Sequence, residues 1–390
     1  MPPISAMIKL ASGLCNMRCK YCFYADEMKK RGQSSYGMMT EETLRNVIKE
    51  LLSYADGSCT IAFQGGEPTL AGLNLYQKCL QIEREYNSKD LKISHALQTN
   101  GFVLDQEWCR FFAENHFLIG LSLDGICSTH DALRKDLISQ GTYSHTLNAA
   151  NMLSEAGVEY NILTVVNRKT APRIRRIYES YKELGFRWQQ YIACLDPIGE
   201  PPGKTEYSLT PEAYGQFLIE LFNLWKEDLK RGYPVSIRQF DNYLGILLGI
   251  HPESCEQQGT CGLQTVIEAD GSVFPCDFYA LDDYKLGNLN QDSLSSIRQC
   301  LKQQTFLDSS LNYPHSCRTC KWFSICRGGC RRHREYPGVL PGENYFCKSY
   351  QMFFETCYHD MEQIAASTRS VRNSAPSSNS LQIISKQIHL

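Results

Sequence analysis

Met7-Ile8-Lys9-Leu10-Ala11-Ser12-Gly13-Leu14-Cys15-Asn16-Met17-Arg18-Cys19-Lys20-Tyr21-Cys22 is the stretch that decides the fold. Residues 7–10 read as a short first strand, and Cys15, Cys19 and Cys22 follow it in a Cys-x3-Cys-x2-Cys loop. Three thiolates on one short loop can hold three irons of a cubane. The fourth iron then lacks a protein ligand, which is what a chelating substrate needs. The alternative is zinc, whose sites usually offer four ligands, often as paired Cys-x2-Cys elements. A second loop, Gln64-Gly65-Gly66-Glu67-Pro68, ends a strand read over residues 60–63, and its glycines let backbone approach a ligand closely.

Outward from these loops, strands and helices alternate. Thr40 can cap a helix that carries Glu41 and Glu42 in its first turn, where the macrodipole favours acids. Further strands are read at 93–97, 117–123, 160–166 and 188–192. Helices are read at 73–85, from about 105, at 143–156 and at 172–184. Six βα units in series predict an α/β fold, a partial (β/α)6 TIM-type barrel with a parallel sheet covered by helices. Such folds place chemistry in loops at the C-terminal strand ends, where both motif loops fall.

A connecting helix is read at 209–230, and the composition then changes. Residues 255–347 hold nine cysteines among many turn residues, and 265–276 read as a hairpin across Asp270-Gly271. The expected division is 1–232 for the barrel with its connecting helix and 233–365 for a loop-rich, cluster-binding domain. Residues 366–390 are expected to form a disordered, serine-rich tail.

The chain has 390 residues, enough for two or three domains at about 150 residues each. Hydrophobic residues at 43 % and charged residues at 21 % suit a globular chain with a core of its own, so the eighteen cysteines are not needed as disulfides. Residues 1–12 lack the basic and apolar regions of a signal peptide, and no apolar run is long enough to cross a membrane. The expected location is the cytoplasm, where clustered cysteines read as metal ligands. A net charge of −2 gives no pull toward nucleic acid or anionic lipid.

The cysteine loop, with Tyr21 ahead of its third cysteine, and the Gly65-Gly66-Glu67-Pro68 loop resemble the radical SAM superfamily. The resemblance implies a [4Fe–4S] cluster on Cys15, Cys19 and Cys22 whose open iron binds S-adenosylmethionine, with backbone of the glycine-rich loop receiving its amino group. The later cysteines, Cys255, Cys261, Cys276, Cys317, Cys320, Cys326, Cys330 and Cys347, resemble the SPASM domain, the auxiliary-cluster module of peptide-modifying members. That implies two further [4Fe–4S] clusters, three in all. Cys255, Cys261, Cys276 and Cys330 would hold one, and Cys317, Cys320, Cys326 and Cys347 the other. A pair of zinc ribbons is the alternative for this region. Arg327, Arg331, Arg332 and Arg334 crowd the last cysteines and can offset the negative charge of a four-thiolate cubane; a solvated basic face is the other reading. Cys59, Cys79, Cys109, Cys127, Cys194, Cys300 and Cys357 read as buried or spare thiols.

Over nearly the whole chain the sequence resembles the anaerobic sulfatase-maturating enzymes. Carrying residues include Gln98-Thr99-Asn100-Gly101, Leu121 to Gly125, Cys194-Leu195-Asp196-Pro197 and Pro275-Cys276-Asp277-Phe278-Tyr279. The resemblance implies oxidation of a cysteine or serine in an unfolded sulfatase polypeptide to Cα-formylglycine, begun by a 5′-deoxyadenosyl radical. A ferredoxin or flavodoxin would donate the electrons. It implies Asp277 as general base, and a cofactor pocket of the Tyr21 backbone, Gly66, Ser122, Arg134 and Leu195. Tyr24 and Gln64 are expected beside the substrate. Read alone, Asp277 is a turn aspartate, Ser122 a local backbone partner and Arg134 a surface cation. Two rival functions stand: a SPASM peptide maturase that forms thioether crosslinks, and a non-catalytic iron–sulfur electron carrier.

Overall fold

The computed structural model describes residues 3–338 and 342–374. Ten strands run in chain order: β1 (Ile4–Ile8), β2 (Ser58–Phe63), β3 (Lys92–Thr99), β4 (Leu118–Ser122), β5 (Tyr160–Val166), β6 (Trp188–Ala193), β7 (Ser236–Ile237), β8 (Val266–Ile267), β9 (Ser272–Phe274) and β10 (Gly287–Asn288). The chain folds as two compact units. One comprises Met1–Leu123, His130–Asn161 and Leu263–Ser309; the other Asp124–Thr129, Ile162–Gly262 and Ser310–Leu390.

In the first unit the order is β10-β9-β8-β1-β2-β3-β4. The pairs β1–β2, β2–β3, β3–β4 and β1–β8 are parallel, as the alternation of strands and helices predicts. Thr40 caps the helix Glu41–Tyr54 by accepting from the Thr43 amide at 3.1 Å. Leu44, Val47, Ile48, Leu51 and Leu52 recur at helical spacing and form its buried stripe. The core of the unit is aromatic: Tyr76 meets Phe63 at 5.0 Å and Trp108 at 5.3 Å, ring centre to ring centre.

The β8–β9 hairpin is antiparallel, but its loop differs from the expected two-residue turn. The Glu268 amide donates to Ser272 O and the Gly271 amide to Glu268 O, so three residues, 269–271, form the loop. Gly271 supplies the left-handed conformation that such a loop requires, at φ +84°. The first strand also sits earlier than expected. It ends at Ile8 because the chain turns through Ser12, where φ is +46°.

In the second unit β5, β6 and β7 are parallel; β7 is too short to show a period in sequence. The helix Pro211–Lys230 buries Phe217, Leu218, Leu221, Phe222 and Trp225, with Thr210 capping it and Pro211 at its first position. Its Phe222 ring meets Phe353 of the helix Cys347–Ser374 at 5.8 Å. That helix corrects the expectation of a disordered tail from residue 366. It continues through Ser374; Met361 and Ala365 are buried on one side, and Arg369 Nη2 donates to Leu247 O at 3.1 Å. Residues 375–390 of the expected tail lie outside the described residues. Among the described residues no helix is long and apolar enough to cross a membrane.

Candidate active site

The cysteine loop is held on both sides. Gly66, at φ +56°, lies so close that a Cβ there would stand 2.2 Å from Leu14 O and 2.8 Å from Ser12 O. Any other residue would push the two loops apart. Next to it Glu67, almost fully buried, accepts from Thr99 Oγ1 at 2.8 Å, from the Asn100 amide at 2.8 Å and from Thr69. The Glu67 carboxyl therefore ties the end of β2 to the end of β3. Burial pushes its pKa up, against the pull of those hydrogen bonds. Asn100 then reaches the cysteine loop, with Nδ2 donating to Asn16 Oδ1 at 2.8 Å.

The other side of the loop zips onto residues 133–136. The Arg18 amide donates to Lys135 O at 2.7 Å and the Lys20 amide to Leu133 O at 3.0 Å. This strip delivers Arg134, whose Nη1 donates to Tyr21 Oη at 2.9 Å; both residues are buried. Of the expected pocket, Tyr21, Gly66 and Arg134 thus cluster at the cysteine loop. Ser122 ends β4, half-buried, and Leu195 follows β6 in the second unit, buried.

Asp277 follows Cys276 and opens the short turn Asp277–Tyr279. It is 4 % exposed and anchored at three atoms. Its amide donates to Gln264 Oε1 at 3.0 Å, its Oδ2 accepts from Gln64 Nε2 at 2.8 Å, and its Oδ1 accepts from Lys9 Nζ at 2.5 Å. Gln64, expected beside the substrate, and Asp277, expected as the base, are thus hydrogen-bonded to each other. Sequence reading did not single out Lys9, whose side chain is fully buried. Burial alone would lower the Lys9 ammonium, but Asp277 and Glu268 outweigh it and hold its pKa above the ordinary value. A lone charge in an otherwise apolar strand was the available signal, since such a charge needs a partner.

Tyr24, expected beside the substrate, is only 4 % exposed. Its hydroxyl donates to Glu268, which also accepts from Arg31 Nη1 at 2.7 Å, and its ring lies 4.0 Å beneath the Lys9 ammonium. Glu268 and Arg31 are neighbours of the site that sequence reading missed, and Glu67 is read there only as part of its motif loop, with no role assigned.

The first three thiols have the donor chemistry of a cluster, though among the described residues no three His, Cys, Asp or Glu side chains converge as a metal site. Burial pushes the Cys15 thiol up to about 12, with Glu67, Cys19 and Cys22 adding to it, and burial pushes Cys22 up as well. A bound metal would offset that rise and hold the neighbours together as thiolates.

In the second unit, Cys255, Cys261, Cys317, Cys320, Cys326, Cys330 and Cys347 sit on short turns or helix ends. The Cys320 amide donates to Cys317 O, the Cys326 amide to Trp322 O and the Cys347 amide to Asn344 O. Burial and the charges of Cys347, Cys317 and Cys320 push Cys326 up to about 12. Cys330 is raised by burial, then by Cys255 and Cys261. Cys276, in the first unit, is half-buried. The arginines here bond mainly to carbonyls: Arg334 to Ser310 O at 2.6 Å and Asn312 O at 3.2 Å, Arg332 to Asp196 O at 2.8 Å. Arg331 is paired with Glu335, but Arg332 and Arg334, buried cations that bond to carbonyls, suit a negative group, so the chemistry of this set is compatible with the clusters. No cysteine forms a disulfide; Cys59, Cys79, Cys109, Cys194 and Cys357 are buried, Cys300 half-buried and Cys127 exposed.

Comparison with known proteins agrees with this geometry. Residues 11–180 match the radical SAM superfamily and residues 259–321 match the iron–sulfur cluster-binding SPASM domain. The chain is 44 % identical over 366 residues to the cysteine-type anaerobic sulfatase-maturating enzyme of Clostridium perfringens (strain 13 / Type A), covering 94 % of this chain and 99 % of that one. It is 29 % identical over 374 residues to the serine-type enzyme of Bacteroides thetaiotaomicron, covering 90 % and 89 %. Among solved structures, native anSMEcpe with bound AdoMet and Cp18Cys peptide superposes with a TM-score of 0.89 at 43 % identity, covering 94 % and 99 %. Streptococcus suis SuiB bound to precursor peptide SuiA shares the fold at 15 % identity and a TM-score of 0.62, covering 90 % and 76 %. By its motifs, its fold and its similarity along nearly its whole length, the chain belongs to the anaerobic sulfatase-maturating enzymes of the radical SAM superfamily.

Proposed function

We propose that the chain oxidises a cysteine of an unfolded sulfatase segment to Cα-formylglycine, with Asp277 as the base that takes the thiol proton. The observation that carries this reading is the Asp277 carboxylate. It is buried, one residue past Cys276, and held through both oxygens by Lys9 and Gln64. A base works only within hydrogen-bond reach of its proton, and a carboxylate fixed at both oxygens is already oriented. Cysteine rather than serine as the target is supported by the higher identity to the cysteine-type relative, 44 % against 29 %.

When bound at Cys15, Cys19 and Cys22, the cluster and S-adenosylmethionine supply removal of one hydrogen atom from the target Cβ. The chain's own residues do the rest. Arg134, delivered to the cysteine loop through Tyr21, pairs with the methionine carboxylate. The Tyr21 backbone, Gly66, Ser122 and Leu195 complete the pocket. Gln64 orients Asp277 toward the target, and Tyr24 supports the floor beneath it. The eight cysteines from Cys255 to Cys347, Cys300 excluded, hold two auxiliary clusters within the domain spanning 233–365. Loss of a hydrogen atom to the cofactor radical, a proton to Asp277 and an electron, which the auxiliary clusters would accept, turns the CH2–SH group into a thioaldehyde. Water then gives the aldehyde and hydrogen sulfide. The reaction runs in the cytoplasm with a ferredoxin or flavodoxin as electron donor.

The test is anaerobic reconstitution with dithionite, S-adenosylmethionine and two sulfatase-motif peptides, one with cysteine and one with serine at the target. Formylglycine in the cysteine peptide, well ahead of the serine peptide, is the expected result. Deoxyadenosine without a mass change in either peptide would reject the reading in favour of another peptide-modifying chemistry.

A further inference from the structure

We propose that Lys9 is a positioning residue for the reaction: its buried ammonium fixes the Asp277 carboxylate for proton transfer from the target. This rests on the reading of Asp277 as the base.

Lys9 stands one residue past β1, and its backbone is locked to β8 by an amide bond to Ile267 O at 2.8 Å. Its side chain crosses to Asp277, 268 residues away in sequence, and lies wholly out of solvent. Two features of the surroundings exist for that side chain. Gly65, at φ +122°, leaves room for it: a Cβ there would come within 2.7 Å of Lys9 Cγ and 3.1 Å of both Cδ and Nζ. Tyr24 presents its ring face to the ammonium at 4.0 Å and turns its hydroxyl away to Glu268. The motif loop therefore has two separate uses for its glycines. Gly66 admits the cysteine loop, and Gly65 admits the lysine.

The direct ionic contact of Lys9 goes to Asp277. Glu268 is already met by Arg31 and Tyr24, so Asp277 is the carboxylate that Lys9 specifically holds. With Gln64 on Oδ2 and Gln264 on its amide, the carboxylate plane is set from three directions. An isolated buried ammonium would be costly, and a merely structural lysine could be replaced by an apolar residue along with its partner. A lysine that orients a base cannot, because geometry lost at the base reappears as lost rate.

The experiment is a double-mutant cycle on the reconstituted holoenzyme. Wild type, Lys9→Met, Asp277→Asn and the double variant are compared for formylglycine formed in one turnover of the cysteine peptide. Iron content and peptide affinity by calorimetry are measured alongside. Lys9→Met is expected to slow product formation about 10- to 100-fold while iron and peptide affinity stay within about twofold. In the Asp277→Asn background the same substitution is expected to change the residual rate by less than about twofold, since the two residues act as one unit. Equal losses in both backgrounds would overturn the proposal while leaving Asp277 as the base. Full activity of Asp277→Asn would instead remove the base itself, and with it the role of Lys9. Should Lys9→Met fail to take up iron, Lys9→Gln takes its place in the cycle under the same criteria.

Discussion

Around β1, buried cations meet carboxylates: Lys9 meets Asp277, and Arg31 meets Glu268. Between Ser310 and Cys347, buried cations meet carbonyls. Arg334 donates to Ser310 O and Asn312 O, and Arg332 to Asp196 O. Arg331, paired with the exposed Glu335, is the exception. The first arrangement neutralises itself and fixes side chains in place, which suits a base that must be oriented. The second leaves positive potential in a buried place, which suits a group that arrives with negative charge. The two regions also differ in what holds them. Around β1 there is a sheet and an aromatic core. Among the described residues from Cys317 up to Cys347, no regular element exceeds four residues.

The largest effect expected from this contrast is on iron removal. Oxidative loss of the clusters should release amide protection across residues 310–347 and leave β1 to β4 protected, as read by hydrogen exchange with mass spectrometry. Uniform loss over both regions would erase the contrast. Next in size, Arg31→Met leaves Glu268 buried with its main cationic partner gone. It should cost about 3–5 kcal/mol of unfolding free energy in anaerobic denaturant titrations, as breaking a buried pair does. A loss under about 1 kcal/mol would mean that the first region is not locked by its charges. Smallest is Arg334→Gln. Less positive potential should shift the midpoint of an auxiliary cluster to more negative values in a potentiometric titration followed by electron paramagnetic resonance. An unmoved midpoint would return this arginine to a purely structural role, bracing the carbonyls of Ser310 and Asn312.

Local chemistry is what sequence reading captured. β5 falls at residues 160–166 as expected, because its apolar run is bounded by turns on both sides. Thr40 caps its helix as the acids of the first turn suggest. The motif loops are likewise legible, and the family resemblance their residues carry names Tyr21, Arg134, Gln64 and Asp277 one by one; that Arg134 bonds the Tyr21 hydroxyl and Gln64 bonds Asp277 does not follow from it. What escaped was pairing over long separations. Lys9 and Asp277 are 268 residues apart, and Arg31 and Glu268 are 237 apart. No local period encodes which charge will meet which; the oddity of a charge among apolar residues hints at Lys9, but nothing comparable marks Arg31 in Lys29-Lys30-Arg31-Gly32-Gln33. The last helix escaped for a different reason. Its serines, with asparagine and proline and few apolar residues, read as disorder, yet the helix whose Met361 and Ala365 are buried runs on into them as far as Ser374.

The central claim is that the carboxylate held between Lys9 and Gln64 takes the proton of the target, and Asp277→Asn tests it most directly. The variant keeps the shape and one acceptor oxygen but cannot act as the base. Reconstituted anaerobically, it is expected to hold as much iron as wild type, to cleave S-adenosylmethionine in the presence of the cysteine peptide, and to form formylglycine at least about 100-fold more slowly. Formylglycine at the wild-type rate, with full iron content, would contradict the account.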